Sequence, residues 1–236
     1  STEQSEPVET DPKKVWKVFA QYYYLFQGTP TSMWLDYVFA NVFNCKDALC
    51  EENADEYYDH ITTRLQGDDF KPRALFERFN IEVITTTESP LDDLKYHKMV
   101  KESGWQGKII TAFRPDNVVD PEFEGFEDNL AYLSKITDTN IDNFSGYLAS
   151  LQKRRQFFKE MGATSTDHGH PTPRTLDLSD EDKNALYLTI RSGQFTAQDA
   201  EDFRAQILTE MARMSIDDGL VMQIHPGVYR NHNQSL

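Results

Sequence analysis

Near the carboxyl end, the run VMQIHPGVYRNHN puts His225 at the tip of an apolar, strand-like stretch and follows it with Arg230 and Asn231. A neutral imidazole fixed at a strand end is a common metal ligand, and in apolar surroundings it can equally be a core histidine with its hydrogen bonds satisfied. The segment DHGH at 167–170 offers Asp167 as an orienting acceptor and His168 as a second imidazole, or simply a turn around Gly169 and Pro171. FRPD at 113–116 supplies Arg114. Its guanidinium can grip a carboxylate through two parallel bonds, or lock onto Asp116 at a strand–loop junction. Arg230 carries the same two readings, and Asn231 can hydrogen-bond a sugar hydroxyl or make a turn. TTTESP at 85–90 reads as a strand end followed by a helix cap, and His97 on the next helix faces either the site or solvent.

The elements that must position these residues change rhythm along the chain. Up to about residue 80 the pattern is helical, with Val15, Val18, Phe19, Tyr22 and Phe26 at helical spacing, Ser32 as a cap and Pro72 at a helix start. From there, short β-branched runs at about 81–87, 107–113, 163–166 and 220–225 read as strands. Helices are expected between them: one capped by Ser89 with Pro90 at its first position, one at 121–136, and one at 140–161. Two more follow, the second capped by Thr196. The helix at 140–161 puts Ile141, Phe144, Leu148, Leu151 and Phe158 on one face. Strand and helix in alternation mean parallel strands with helical crossovers. Each expected strand ends in a polar cluster, and the carboxyl ends of parallel strands share one face of the sheet, which carries the site in such folds.

Composition narrows the function. The 236 residues carry 24 basic and 39 acidic side chains, a net charge of −15, with no basic patch interleaved with aromatics, so nucleic acid is an unsuitable partner. An acidic surface repels anions at long range, so an anionic substrate needs a local arginine. No apolar run approaches the roughly 20 residues of a membrane-spanning helix, and no membrane association is expected. Cys45 and Cys50 form neither a framework nor a CxxC motif and read as reduced thiols of a cytoplasmic protein. No phosphate loop, dinucleotide fingerprint, GxSxG or HExxH is present.

Four segments, taken in order, resemble the uronate (glucuronate) isomerases of the amidohydrolase superfamily. VITTTESPLDDLKYH is similar to a TTDDP strand end followed by a D-x-L-x-x-H helix. IITAFRPD is similar to L-P-T-W-R-P-D, STDHG to S-D-H-A, and MQIHPGVYRNHN to M-Q-L-H-I-G-A-L-R-N-N-N. Glu88, Ser89, Phe113, Pro226 and Tyr229 depart from these patterns, and His170 is extra to them.

The resemblance implies a partial (β/α)8 TIM barrel at 81–236, holding strands two to five, with a helical insertion at 1–80 on its N-terminal side. It implies an enzyme interconverting D-glucuronate with D-fructuronate and D-galacturonate with D-tagaturonate, a divalent metal, zinc, as cofactor, and a chain that is inactive alone. His225 would be a metal ligand. Arg114, Arg230 and Asn231 would bind substrate, and Asp167 and His168, the catalytic candidates, would hydrogen-bond the substrate or the groups around it. The partner would be a uronic acid sugar together with a second copy of the chain or the remaining barrel strands. A metal-dependent hydrolase on the same barrel and a non-catalytic scaffold stand as alternatives.

Overall fold

A computed structural model describes residues 8–227, which fall into two compact units divided after Ile81. Arg230 and Asn231 lie outside the described residues.

The first unit is helical: α1 (Pro12–Gln21), α2 (Pro30–Tyr37), α3 (Ala54–Leu65) and α4 (Pro72–Arg78). Asp11 caps α1 by accepting from the Lys14 amide at 2.9 Å, with Pro12 at the first position. The expected stripe is only partly the buried one. Val15, Val18 and Tyr22 are about half exposed, whereas Ala20 and Tyr23 are buried, with Trp16, Phe19 and Phe26 packed beside them. Both stripes satisfy helical spacing. The aromatic one wins because it meets the Phe39 and Tyr57 rings, which pack edge-on to each other at 5.4 Å. Thr29, not Ser32, caps α2: its hydroxyl accepts from the Ser32 amide, and Pro30 supplies the first turn.

The second unit runs β1 (Val83–Glu88), α5 (Lys95–Glu102), β2 (Lys108–Phe113), α6 (Asp116–Val119), α7 (Phe126–Thr137), α8 (Phe144–Glu160), β3 (Ser165–His168), α9 (Asp180–Arg191), α10 (Ala197–Asp218) and β4 (Val221–Ile224). The strands form one parallel sheet in the order β1-β2-β3-β4. Sequential order without reversal, each strand followed by helix, is the winding of a barrel arc; a doubly wound sheet reverses its order at a switch point. The fold is therefore mixed α/β with part of a barrel present.

Three boundaries differ from expectation. β3 lies two residues later than expected, at 165–168, because its partner β4 pairs Ser165 with Val221 through His168 with Ile224. The helix expected from Ser89 begins only at Lys95. The Ser89 hydroxyl accepts from the Leu91 amide, and the Asp92 and Asp93 carboxylates accept from the amides of Leu94 and Lys95. Those local bonds compete with a helical turn. Arg154 secures the resulting loop by donating to the carbonyls of Pro90 and Asp92 at 2.6 and 2.8 Å. Between β2 and α8 there are two helices rather than one, separated by a turn that ends at Gly125 with φ +75°.

The core of this unit lies between the sheet and α7–α10. It is built from Phe113, Leu130, Leu133, Tyr147, Leu151, Phe158, Phe203 and Ile207 among others. Of the expected face of α8, Phe144, Leu151 and Phe158 are buried. Arg155, also buried, pairs with Asp218 at 2.6 Å and so fastens α8 to the end of α10. Thr196 and Asp199 form a reciprocal capping box at the start of α10, and Gly219 at φ +77° ends it. The outer strands β1 and β4 are partly exposed, with Val83, Val221 and Ile224 open to solvent. Among the described residues no helix is long and apolar enough to cross a membrane.

Candidate functional site

Side chains alternate along a strand, and register partners in a parallel sheet point the same way. Phe113 pairs with Thr166, which pairs with Met222, and Phe113 and Met222 belong to the core under the helices. Thr166 and His168 therefore face the helices, and Ser165 and Asp167 face the opposite side of the sheet. Two adjacent residues from one motif part company here.

On the open side, Asp167 lies between two partners. Its Oδ1 is 3.0 Å from His225 Nε2, and its Oδ2 is 3.4 Å from Arg114 Nη1. The Asp167 carboxylate is placed to accept a hydrogen bond from His225 Nε2. Arg114 Nε donates to Asp116 Oδ2 at 2.9 Å, and the Asp116 carboxylate holds the guanidinium pKa above its ordinary value. Asp116 Oδ1 accepts from the Gly169 amide at 3.0 Å. A Cβ at Gly169 would come within 2.7 Å of Asp116 Oδ2, 2.9 Å of Arg114 Nη2 and 3.1 Å of His225 Cε1, so the set closes over a glycine. The backbone adds to this: the His225 amide donates to the His168 carbonyl, and the Arg114 amide to the Glu88 carbonyl.

His168 does not join this set. It is fully buried, and its Nε2 lies 2.9 Å from the Thr166 hydroxyl. Burial, with the nearby His170 imidazole second, pushes its pKa down to about 3, so it is neutral at physiological pH. His170 is also buried, which lowers its pKa. Alternation along β3 turns the His168 imidazole into the helical layer, behind the Asp167 carboxylate. His97 likewise meets neither the site nor open solvent. Its Nε2 lies 2.9 Å from the Thr86 hydroxyl and 3.6 Å from Glu88, which accepts from Thr111.

Arg114, Asp167 and His225 are brought together as expected residues. Asp116 and Gly169 complete the set without having been singled out as site residues. The arginine–aspartate spacing in FRPD carried a signal for the first, and nothing in the sequence signalled the close approach at the second. The arrangement can orient an imidazole and present a guanidinium to an anion. Among the described residues no group of three or more histidine, cysteine, aspartate or glutamate side chains is placed to hold a metal ion. Cys45 and Cys50 are free thiols.

A parallel barrel arc with charged groups gathered at its carboxyl edge defines the class: an α/β protein with its site at the strand ends. The family model for glucuronate isomerase matches residues 3–236, and the chain belongs to that family. Uronate isomerase from Mesorhizobium japonicum is 55% identical over 230 residues, covering 98% of this chain and 49% of that protein. The Phenylobacterium zucineum uronate isomerase is 54% identical, covering 98% and 48%. Among solved structures, glucuronate isomerase from Caulobacter crescentus superposes with a TM-score of 0.91 at 50% identity, covering 97% of this chain and 48% of that one. Uronate isomerase from Thermotoga maritima gives 0.87 at 25% identity, covering 97% and 50%. The chain spans about half the length of the curated relatives it matches. These relatives favour neither the hydrolase nor the scaffold alternative.

Proposed function

We propose that this chain serves an aldose–ketose isomerase acting on uronic acids, D-glucuronate with D-fructuronate and D-galacturonate with D-tagaturonate. The observation that carries the reading is the line Arg114–Asp167–His225 across the carboxyl ends of three adjacent parallel strands, in a member of the glucuronate isomerase family. In the reaction the C2 proton leaves, an enediol forms, and a proton returns at C1. The aldehyde oxygen becomes a hydroxyl and the C2 hydroxyl a carbonyl. Arg114 would hold the substrate carboxylate or the enediolate, Asp167 would orient His225 and accept from a substrate hydroxyl, and His168 would support β3 from behind. Arg230 and Asn231 remain proposed substrate contacts. A divalent metal, zinc, stays part of the proposal, with His225 the one residue that would ligate it.

The helical unit up to about residue 80 would be the insertion of the barrel. The open β1 and β4 edges call for cover by further barrel strands or a second copy. The free thiols suit the cytoplasm. The test is turnover of D-glucuronate and D-galacturonate by the complete gene product beside His225→Ala. Keto-uronate formed by wild type and lost by about 100-fold or more in the variant is expected; a folded wild type that converts neither sugar overturns the reading.

A further inference from the structure

None of those roles uses Asp116, yet each of its oxygens bonds a different strand end. Oδ2 accepts from Arg114 Nε in its own loop, and Oδ1 accepts from the Gly169 amide after β3. A guanidinium is planar, so gripping Nε fixes the plane and aims the other nitrogens. With Nε held, Nη1 turns to Asp167 at 3.4 Å. Against the carboxylates of Asp116 and Asp167, Arg114 leaves no excess of positive charge. An anion therefore gains little from net charge here and much from the direction of the remaining N–H groups. Left alone, an arginine side chain has many rotamers to lose when it binds; two carboxylates impose that ordering beforehand. The glycine at 169 leaves the room this packing needs, since a Cβ would strike Asp116 and Arg114 first.

The geometry points to Asp116 as a positioning residue: it fixes the Arg114 guanidinium beside Asp167 and His225, and so sets the seat of the substrate carboxylate. The inference rests on the uronate reading for its substrate. A residue that merely stapled two loops would have the same bonds, so the test must separate the two roles.

In the complete gene product, Asp116→Asn keeps size but leaves one acceptor oxygen, so Arg114 and Gly169 no longer each have an oxygen of their own. Its kcat/KM for D-glucuronate is expected to fall about 10- to 100-fold, more through KM than kcat. In an Arg114→Ala background the same change is expected to cost less than about 3-fold, because its effect runs through the arginine. Effects that multiply in the double variant, or an unchanged KM in Asp116→Asn, overturn the proposal. If the asparagine variant does not fold, Asp116→Glu replaces it; the glutamate keeps both oxygens and displaces them by one methylene, with the same readouts. A wild type that turns over no uronate sinks the substrate reading alone. The crystal structure of Asp116→Asn then decides the positioning claim: Arg114 should swing away from Asp167, and a guanidinium still at its wild-type place refutes it.

Discussion

Asp167 and His168 are neighbours in sequence and opposites in circumstance. Asp167 stands on the open side of the sheet, where it meets an arginine and a histidine from the two flanking strands. His168 stands behind it, fully buried among helices, touching a threonine and facing His170 with ring centres 5.7 Å apart. One side of the sheet collects charge that remains accessible, and the other keeps its imidazoles neutral. Under the proposed function, the period of two along a strand sorts a single motif into a chemical half and a structural half.

Asp167→Asn carries the largest expected effect. It removes the charge that holds both Arg114 and His225, and uronate turnover by the complete gene product should fall by about 100- to 1000-fold while the melting temperature moves little. A variant with near-normal turnover would erase the distinction between the two sides.

The buried side should answer to pH instead. The folded-state pKa of His168 is depressed to about 3 and that of His170 is also lowered, so between the ordinary histidine value and those lowered values the unfolded chain binds more protons than the folded one. Their contribution to stability is complete above about pH 6.5 and is lost as pH falls below it, at up to about 1.4 kcal/mol per pH unit for each histidine. Denaturant titrations at pH 7.5, 6 and 5 check this, and His168→Phe should flatten the slope. A stability independent of pH over that range would mean the two imidazoles are not held neutral.

The smallest effect sharpens the comparison at its boundary. Gly169→Ala pushes a methyl group toward the ends of Asp116, Arg114 and His225. Those side-chain tips can move, so the fold should lose less than about 1 kcal/mol, while turnover falls about 10-fold because the displaced groups are the ones proposed to act. Equal loss in stability and none in turnover would assign Gly169 to the structural half.

Much of this was legible beforehand. Strand-like runs alternating with helical ones announced a parallel sheet, and the capping pair Thr196 and Asp199 marked the start of α10. Arg114, Asp167 and His225 could be picked out because polar residues after apolar runs must gather at one edge. What stayed hidden has two physical sources. Periodicity offers two overlapping stripes on α1 and does not say which one meets Phe39 and Tyr57. A strand end locates a side chain along the sheet but not through it, since a shift of one residue reverses the face; that is why the sequence did not show His168 facing the helical layer. Asp116 was readable only as a partner for Arg114, because its second bond goes to a backbone amide 53 residues away.

The pairing of β2 with β3 is brief: Ala112 meets Ser165 and Phe113 meets Thr166, whereas β1 and β2 are paired from Val83 to Glu88. The sheet is thus two ribbons sewn along a short seam, and the stitches that reinforce it beyond the ladder are polar: Asp116 to the Gly169 amide and Arg114 toward Asp167. The groups that would seat a substrate also span the joint between the two ribbons. Under the proposed function, a substrate held by Arg114 and Asp167 would touch both ribbons at their seam.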